Sequence, residues 1–404
     1  LEQIGKKQLK IIQRLAFGFL TAGISLGSFW AYYELGWGGF WFWDPVEVIS
    51  LFPWFLLLLL LHQSQETSEC KYMPLPYLAI IMGTTMIRSG YLTSVHAFAH
   101  DDMRGVLFSM LGLFLCVFSF IAYRKSKKAA QPTRRGLQDL GIKFQKYSIL
   151  AIMGILLLTI VLPIVYGFMG HTISITPEFY NKTIVPIFIT VLMGILVMVP
   201  RASALYIPVL GAVVVFLLCV MNDLFPLWAA CVLMVLTIVS VFSICSIVKL
   251  KAVRMHMCHL GICVLVSGIV MTTTTSVDRT VTLTHAGQCF SIATYDFIVR
   301  DTFADTKNTY ECQSISVDIL KNHKKIGVLR PELRNYVTQK LFHAESDFLS
   351  QNLTQILAIP TMENNTIVLQ IHVKPYFNVM IIGIALLIIG LFISSNRGRS
   401  DSGP

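Results

Sequence analysis

The feature that most limits what this chain can fold into is its succession of long apolar runs, the densest being FPWFLLLLLLH, which closes at His62. A helix needs about 20 mainly apolar residues to cross roughly 30 Å of hydrocarbon. In lipid it must also satisfy its own backbone hydrogen bonds, which favours α-helix over any open structure. Ten such spans are read from the sequence: Ile11–Tyr33, Val46–His62, Leu78–Thr93, Gly105–Tyr123, Tyr147–Met169, Ile184–Val199, Tyr206–Val220, Leu227–Ile247, Met257–Thr273 and Phe377–Ser394. Composition agrees. Of 404 residues, 55% are hydrophobic and 13% charged, and the mean hydropathy is +0.67, more apolar surface than a soluble domain can hide. The expected class is an all-α polytopic membrane protein.

The formal charge of +10 does not point to nucleic acid, because the basic residues sit in short clusters beside apolar runs. The strongest cluster lies in residues 124–146, with eight Lys or Arg against Asp139 alone. Placing it on the cytoplasmic or matrix side also places Lys6, Lys7 and Lys10, then Arg201, then Lys249, Lys251 and Arg254, then Arg397 and Arg399 on that side. The aromatic segment 34–45, the loop 93–105 and a long polar segment then fall outside. That last segment carries short alternating runs such as QSISVDIL and TIVLQIHV, which read as strands. The expected division is a membrane region at 1–123, a basic loop at 124–146, membrane helices at 147–273, a small β-rich extracytoplasmic domain at 274–375, and a last span with a basic tail at 376–404. None of the nine cysteines forms C-x-x-C or the C-x-x-C-H haem-attachment motif, so the chain is not itself a c-type cytochrome. Cys289 and Cys312, both in the outer segment, are within the range of a pairing that sequence leaves open.

Several residues carry chemistry. In GWGGFWFWDPVE, Trp37, Trp41 and Trp43 with Phe40 and Phe42 fall within seven residues, and Gly36, Gly38 and Gly39 let a backbone approach a ligand. That density suits a flat apolar ligand, whereas an interfacial tryptophan belt spreads its rings over many helix ends. Asp44-Pro45-Val46-Glu47 also reads as a helix start, with Asp as N-cap, Pro at N1 and Glu at N3. His62 lies about 26 Å along its helix from Pro45, near the cytoplasmic edge. His259 lies roughly 7–8 Å past Arg254 on another helix, at a similar depth. Two imidazoles from separate helices at one level fit bis-histidine ligation of a haem, with His256 one turn away as a rival. His96 and His100, in the outer loop, allow either a small metal or an axial haem ligand. Arg88 interrupts an apolar run, where it either pairs with a carboxylate such as a haem propionate or snorkels to the outer face.

WGGFWFWDPVE resembles the tryptophan-rich WWD motif of the haem-handling superfamily. With FPWFLLLLLLH, MIRSGYLTSVHAFAHDDMRG, MCHLGICVLVSGIV and the VKPYF before the last span, the chain resembles the CcmF family of cytochrome c-type biogenesis proteins, the haem lyase subunit of a multi-component maturation system. The resemblance implies that Trp37, Gly38, Gly39, Trp41, Trp43 and Asp44 hold substrate haem at the outer face with His96 as one axial ligand. It implies that His62 and His259 ligate a permanent b-type haem fed by quinol. It further implies a haem chaperone, apocytochrome c and a thiol-reducing subunit that presents it as partners, in a bacterial or mitochondrial inner membrane. The family's second outer histidine precedes the WWD motif, so the expectation is either that this chain is the C-terminal portion of a longer protein or that a separate N-terminal chain supplies that residue. Phe40 departs from the family's usual tryptophan but keeps an aromatic ring. The competing reading is a non-enzymatic haem carrier of the same superfamily, which would have fewer spans and no large outer domain.

Overall fold

The computed structural model describes residues 6–34, 39–62, 74–88, 94, 137–197, 205–306, 310–336, 341–364 and 366–393, with helical residues at 106–107, 110–115, 117 and 121. The helices with defined bounds are α1 (Lys6–Glu34), α2 (Pro45–His62), α3 (Pro74–Arg88), α4 (Leu137–Phe168), α5 (Pro177–Val197), α6 (Tyr206–Met221), α7 (Leu227–Val248), α8 (Val253–Thr275) and α9 (Phe377–Phe392). Between α8 and α9 run ten strands: β1 (Val277–Thr282), β2 (Cys289–Ile292), β3 (Tyr295–Thr306), β4 (Glu311–Lys321), β5 (Lys324–Leu329), β6 (Glu332–Tyr336), β7 (Leu341–Glu345), β8 (Asp347–Gln351), β9 (Thr354–Glu363) and β10 (Thr366–Lys374).

Against the ten spans read from sequence, five helices among the described residues are long and apolar enough to cross a membrane: α1, α2, α4, α7 and α8. The apolar α6 and α9 are shorter. Of the third span, read over Leu78–Thr93, the helix α3 is described from Pro74 to Arg88, and residues 89–93 lie outside the described residues. The helix α4 begins at Leu137, although its membrane-length portion is Lys143–Gly167. Its first turns stand in the basic stretch 124–146, because charged residues do not prevent a helix from continuing into water.

The strands form two antiparallel sheets, one ordered β1-β10-β9-β8 and the other β2-β3-β4-β6-β7 with β5 also on β4. Their inner faces share one core: Phe297, Val299, Ile315, Val317 and Ile319 from the second sheet meet Ile356, Ala358, Leu369, Ile371 and Val373 from the first. This is a β-sandwich, in which alternate residues of each strand face inward. Asp318 lies between the inward Val317 and Ile319 and faces the other way. It takes Arg300 at 2.8 Å and Lys325 at 2.6 Å, so its charge is matched where it is covered.

The sandwich stands on a rigid base. β1 follows α8 directly, β10 leads into α9, and β1 and β10 are paired neighbours. Below them α8 and α9 pack backbone to backbone through glycines spaced by seven: Gly261 and Gly268 on α8, Gly383 and Gly390 on α9. A Cβ at Gly268 would sit 2.6 Å from the Met380 nitrogen, and one at Gly390 2.8 Å from that of Cys258. Small residues at such a seam let helices approach in lipid, where no hydrophobic effect drives them together. A further tie comes from α1. The Tyr33 ring packs 4.2 Å from Phe348, its hydroxyl accepts from Gln355 Nε2 at 2.7 Å, and its carbonyl accepts from Ser346 Oγ. Tyr32 stacks on Phe377 at 4.9 Å.

Candidate functional site

Two groups of singled-out residues lie at opposite ends of α2. At its start, residues 39–44 lead into the helix through a capping box. Asp44 Oδ1 accepts from the Val46 amide at 2.9 Å, and Glu47 Oε2 reaches back to the amides of Asp44 and Phe42, both at 3.0 Å. Ser94 Oγ donates to the same Asp44 oxygen at 2.5 Å, tying Ser94 to this turn. Buried Glu47 therefore fixes the shape of the aromatic loop by binding its amides. The capping pattern Asp44 to Glu47 is the part of this motif that local chemistry fully explains.

The rings above the cap are anchored in a set way. Trp43 adopts φ 58°, a left-handed conformation unfavourable for a bulky residue. In return its indole stacks on Tyr180 at 4.9 Å and 4° between planes, and its Nε1–H donates to Asn181 Oδ1 at 3.0 Å. Backbone strain of about 1–3 kcal/mol is offset by a ring pair worth about 0.5–1.5 kcal/mol and a hydrogen bond of about 1 kcal/mol. Trp41 meets Trp43 edge-on at 5.9 Å and stays partly open. Phe40 turns the other way, edge-on to Phe29 at 5.0 Å and to Phe377 at 6.1 Å. A Cβ on Gly39 would lie 2.9 Å from the Phe42 ring, which would have to move to admit it. The loop is thus held between α5 on one side and the base of the sandwich on the other. The aromatic loop and the sandwich share one end of the helices.

At the far end of α2, about 26 Å along the helix, His62 meets His259 of α8. Their ring centroids are 6.4 Å apart with 23° between planes. His62 Nδ1 lies 2.9 Å from the Leu58 carbonyl; a carbonyl only accepts, so the proton is on Nδ1 and the lone pair on Nε2. Metal-ligating histidines commonly have their second nitrogen fixed in this way. His259 Nδ1 is buried with no hydrogen-bond partner. A nitrogen–metal bond of about 2 Å on each side, plus roughly 1 Å from nitrogen to ring centre, accounts for a separation of this size. The residues present therefore suit one metal centre between two imidazoles. His256 lies 6.4 Å from His259 but nearly perpendicular to it, and its ring packs on Phe242 at 5.4 Å.

The other singled-out residues are dispersed. Trp37, Gly38, His96 and His100 lie outside the described residues. Arg88 is exposed at the last turn of α3. Among the described residues, no group of three or more His, Cys, Asp or Glu side chains gathers as a metal site. Cys289 and Cys312 are free thiols. Cys289 opposes Ile298 and Cys312 opposes Asp305, seven residues apart on β3 and about 23 Å along it, far beyond disulfide reach.

Sequence reasoning missed Tyr180 and Asn181, because their link to Trp43 spans well over a hundred positions and no local motif marks it. The Leu58 carbonyl was reachable, since i to i−4 contact follows from the helix. At the base of the sandwich, Asp278 takes His372 at 2.9 Å and Lys374 at 3.0 Å. Burial works against its ionisation, and these two partners outweigh it, holding its carboxyl down at about 2.

The comparisons with known proteins agree in direction. Residues 2–95 match the family model described as cytochrome C assembly protein. The cytochrome c-type biogenesis protein CcmF of Pseudomonas fluorescens is 28% identical over 90% of this chain and 61% of its own length. NrfE of Haemophilus influenzae, also a cytochrome c-type biogenesis protein, is 30% identical over 81% of this chain and 56% of its own length. The chain thus spans little more than half to three-fifths of these relatives. A solved structure of the cytochrome c haem lyase CcmF superposes with a TM-score of 0.73 at 17% identity, covering 96% of this chain and 65% of that one, a likeness of fold. In matched segment, in curated relatives and in fold, the chain is similar to the CcmF-type cytochrome c biogenesis proteins.

Proposed function

We propose that this chain is the haem-handling part of a haem lyase acting in cytochrome c maturation at an inner membrane, with haem at two places. The observation that carries the reading is the pair His62 and His259, on separate helices, 6.4 Å apart and with His62 Nδ1 already committed to a carbonyl. These two imidazoles would hold a b-type haem, which supplies one-electron redox chemistry when bound. The chain's own contribution is orientation. The Leu58 carbonyl sets the His62 tautomer, and the glycine seam between α8 and α9 fixes the height of His259.

At the other end, substrate haem would lie against the open face of Trp41, beside the buttressed Trp43, with His96 as an axial ligand on the extracytoplasmic side. An apocytochrome, presented by its thiol-reducing partner, brings C-x-x-C-H. Each cysteine S–H adds across one vinyl C=C to give a thioether with no atom lost. Such a reaction needs its partners held in register, an entropic contribution that positioning alone can make large. A loop pinned by Glu47, Asn181 and Tyr180 serves that purpose, because a platform whose rings swing freely would not define where the vinyl groups sit.

The test is the reduced-minus-oxidised optical spectrum of the purified chain beside His62→Ala and His259→Ala. A low-spin b-type spectrum in the wild type, lost in both variants, is the expected result. Absence of haem absorption in the wild type, or its survival in both variants, refutes the assignment.

A further inference from the structure

Among the described residues no carboxylate pairs with Arg14, which lies at the end of the bundle where His62 and His259 meet. Its Nε and Nη1 are both buried and neither has a hydrogen-bond partner. The α1 face that carries it looks inward: Phe17 packs 4.9 Å from Trp54, Trp54 Nε1–H donates to Thr21 Oγ1 at 3.0 Å, and a Cβ on Gly18 would come 3.0 Å from the Phe392 ring. Arg14 is three and four residues from Phe17 and Gly18, hence on the same face, one turn nearer the histidine end. The layer just above contains Phe17, Leu57, Leu60, Leu387 and Leu391, with Cys258 and Leu61 packed against it. His259 and His62 are the next residues after those last two.

Two covered guanidinium nitrogens without an acceptor are costly, and truncating one partner of a buried pair costs several kcal/mol in measured cases. The four helices around this layer cannot supply the acceptor. α1, α2, α8 and α9 contain Glu34 and Glu47 as their only acids, and both lie at the sandwich end, Glu34 about 30 Å along α1 from Arg14. The porphyrin of the preceding reading brings two carboxylates. We infer that Arg14 is the counter-charge for a propionate of the haem held between His62 and His259, pairing through its fork of N–H donors. The inference rests on the haem reading and adds to it a third protein group, on α1, that binds the porphyrin edge while the histidines bind the iron.

The experiment loads the full chain with haem and follows transfer to apomyoglobin, with the midpoint potential measured in parallel. Variants are Arg14→Gln and Arg14→Lys, and a second series uses haem with both propionates esterified. Arg14→Gln is expected to keep the bis-histidine spectrum, release haem about 10- to 100-fold faster, as befits a lost charged hydrogen bond, and lower the potential by removing a positive charge. Arg14→Lys should recover part of both effects. With the esterified haem the wild type and Arg14→Gln should converge. Release and potential of Arg14→Gln matching the wild type would overturn the inference while leaving the haem reading intact. So would an undiminished difference with esterified haem, which would assign Arg14 to another anion such as a lipid phosphate. A wild-type chain that takes up no haem sinks the parent reading instead.

Discussion

Gly261 joins the fold to the proposed haem site, two residues after His259 on α8, and its replacement by alanine puts the coupling to a quantitative test. A methyl there would fall 2.7 Å from the Leu387 Cα and 2.9 Å from the Leu386 carbonyl carbon. Carbon atoms in ordinary contact sit about 3.5–4.0 Å apart. The two backbones must therefore part by about 1 Å, and neither contact atom belongs to a side chain that can swing aside. Overpacking of this kind costs roughly 1–3 kcal/mol, against a helix-propensity gain of up to about 1 kcal/mol for Gly→Ala. Gly154→Ala on α4 is the matched control, because nothing lies within 4 Å of its would-be Cβ. Ligand distances in metal sites hold to about ±0.2 Å, so a shift of α8 by about 1 Å exceeds what the His62–His259 pair tolerates. Gly261→Ala should melt below the wild type in detergent and lose most of its b-type spectrum, whereas Gly154→Ala should match or exceed the wild type in both. The assay is thermal unfolding by intrinsic tryptophan fluorescence with haem quantified on the same sample. If Gly261→Ala keeps its haem and its melting temperature, the seam does not position His259.

Two further outcomes follow from groups near the aromatic loop and the sandwich. Glu47→Gln leaves one acceptor oxygen for two amides but removes the charge, and should cost about 1–2 kcal/mol of local stability, read as faster hydrogen exchange at the amides of Phe42 and Asp44. Asp278 has a carboxyl depressed from 3.8 to about 2 in the folded chain, so its stabilisation is present above the unfolded value and is lost as pH falls through about 2. With its side chain half exposed, screening leaves about 1 kcal/mol or less; Asp278→Asn should flatten the acid limb of stability below pH 4, and an unchanged limb would refute the pairing.

What could be read from the sequence was what depends on residues near one another. Asp44-Pro45-Val46-Glu47 spelled its capping box because caps are made within four residues. QSISVDIL showed its strand because side chains alternate across a sheet. His62 and His259 could be placed at one depth, since rise per residue is fixed by the helix, but the choice between His259 and His256 could not be made. Depth is a coordinate along one axis, and ring direction depends on how α8 turns against its neighbours.

The tertiary structure alone decided the rest. It brought Trp43 onto Tyr180, it left Arg14 covered at the histidine end, and it kept Cys289 and Cys312 too far apart along β3 to bond. By itself the sequence determined which segments would seek lipid, where helices begin and which side chains could ligate iron, all of them local properties of backbone and composition. Which of those side chains face each other was set by close packing, above all by the glycines of α8 and α9. The absence of a side chain there is visible in the sequence, but the backbone that fills the space is not.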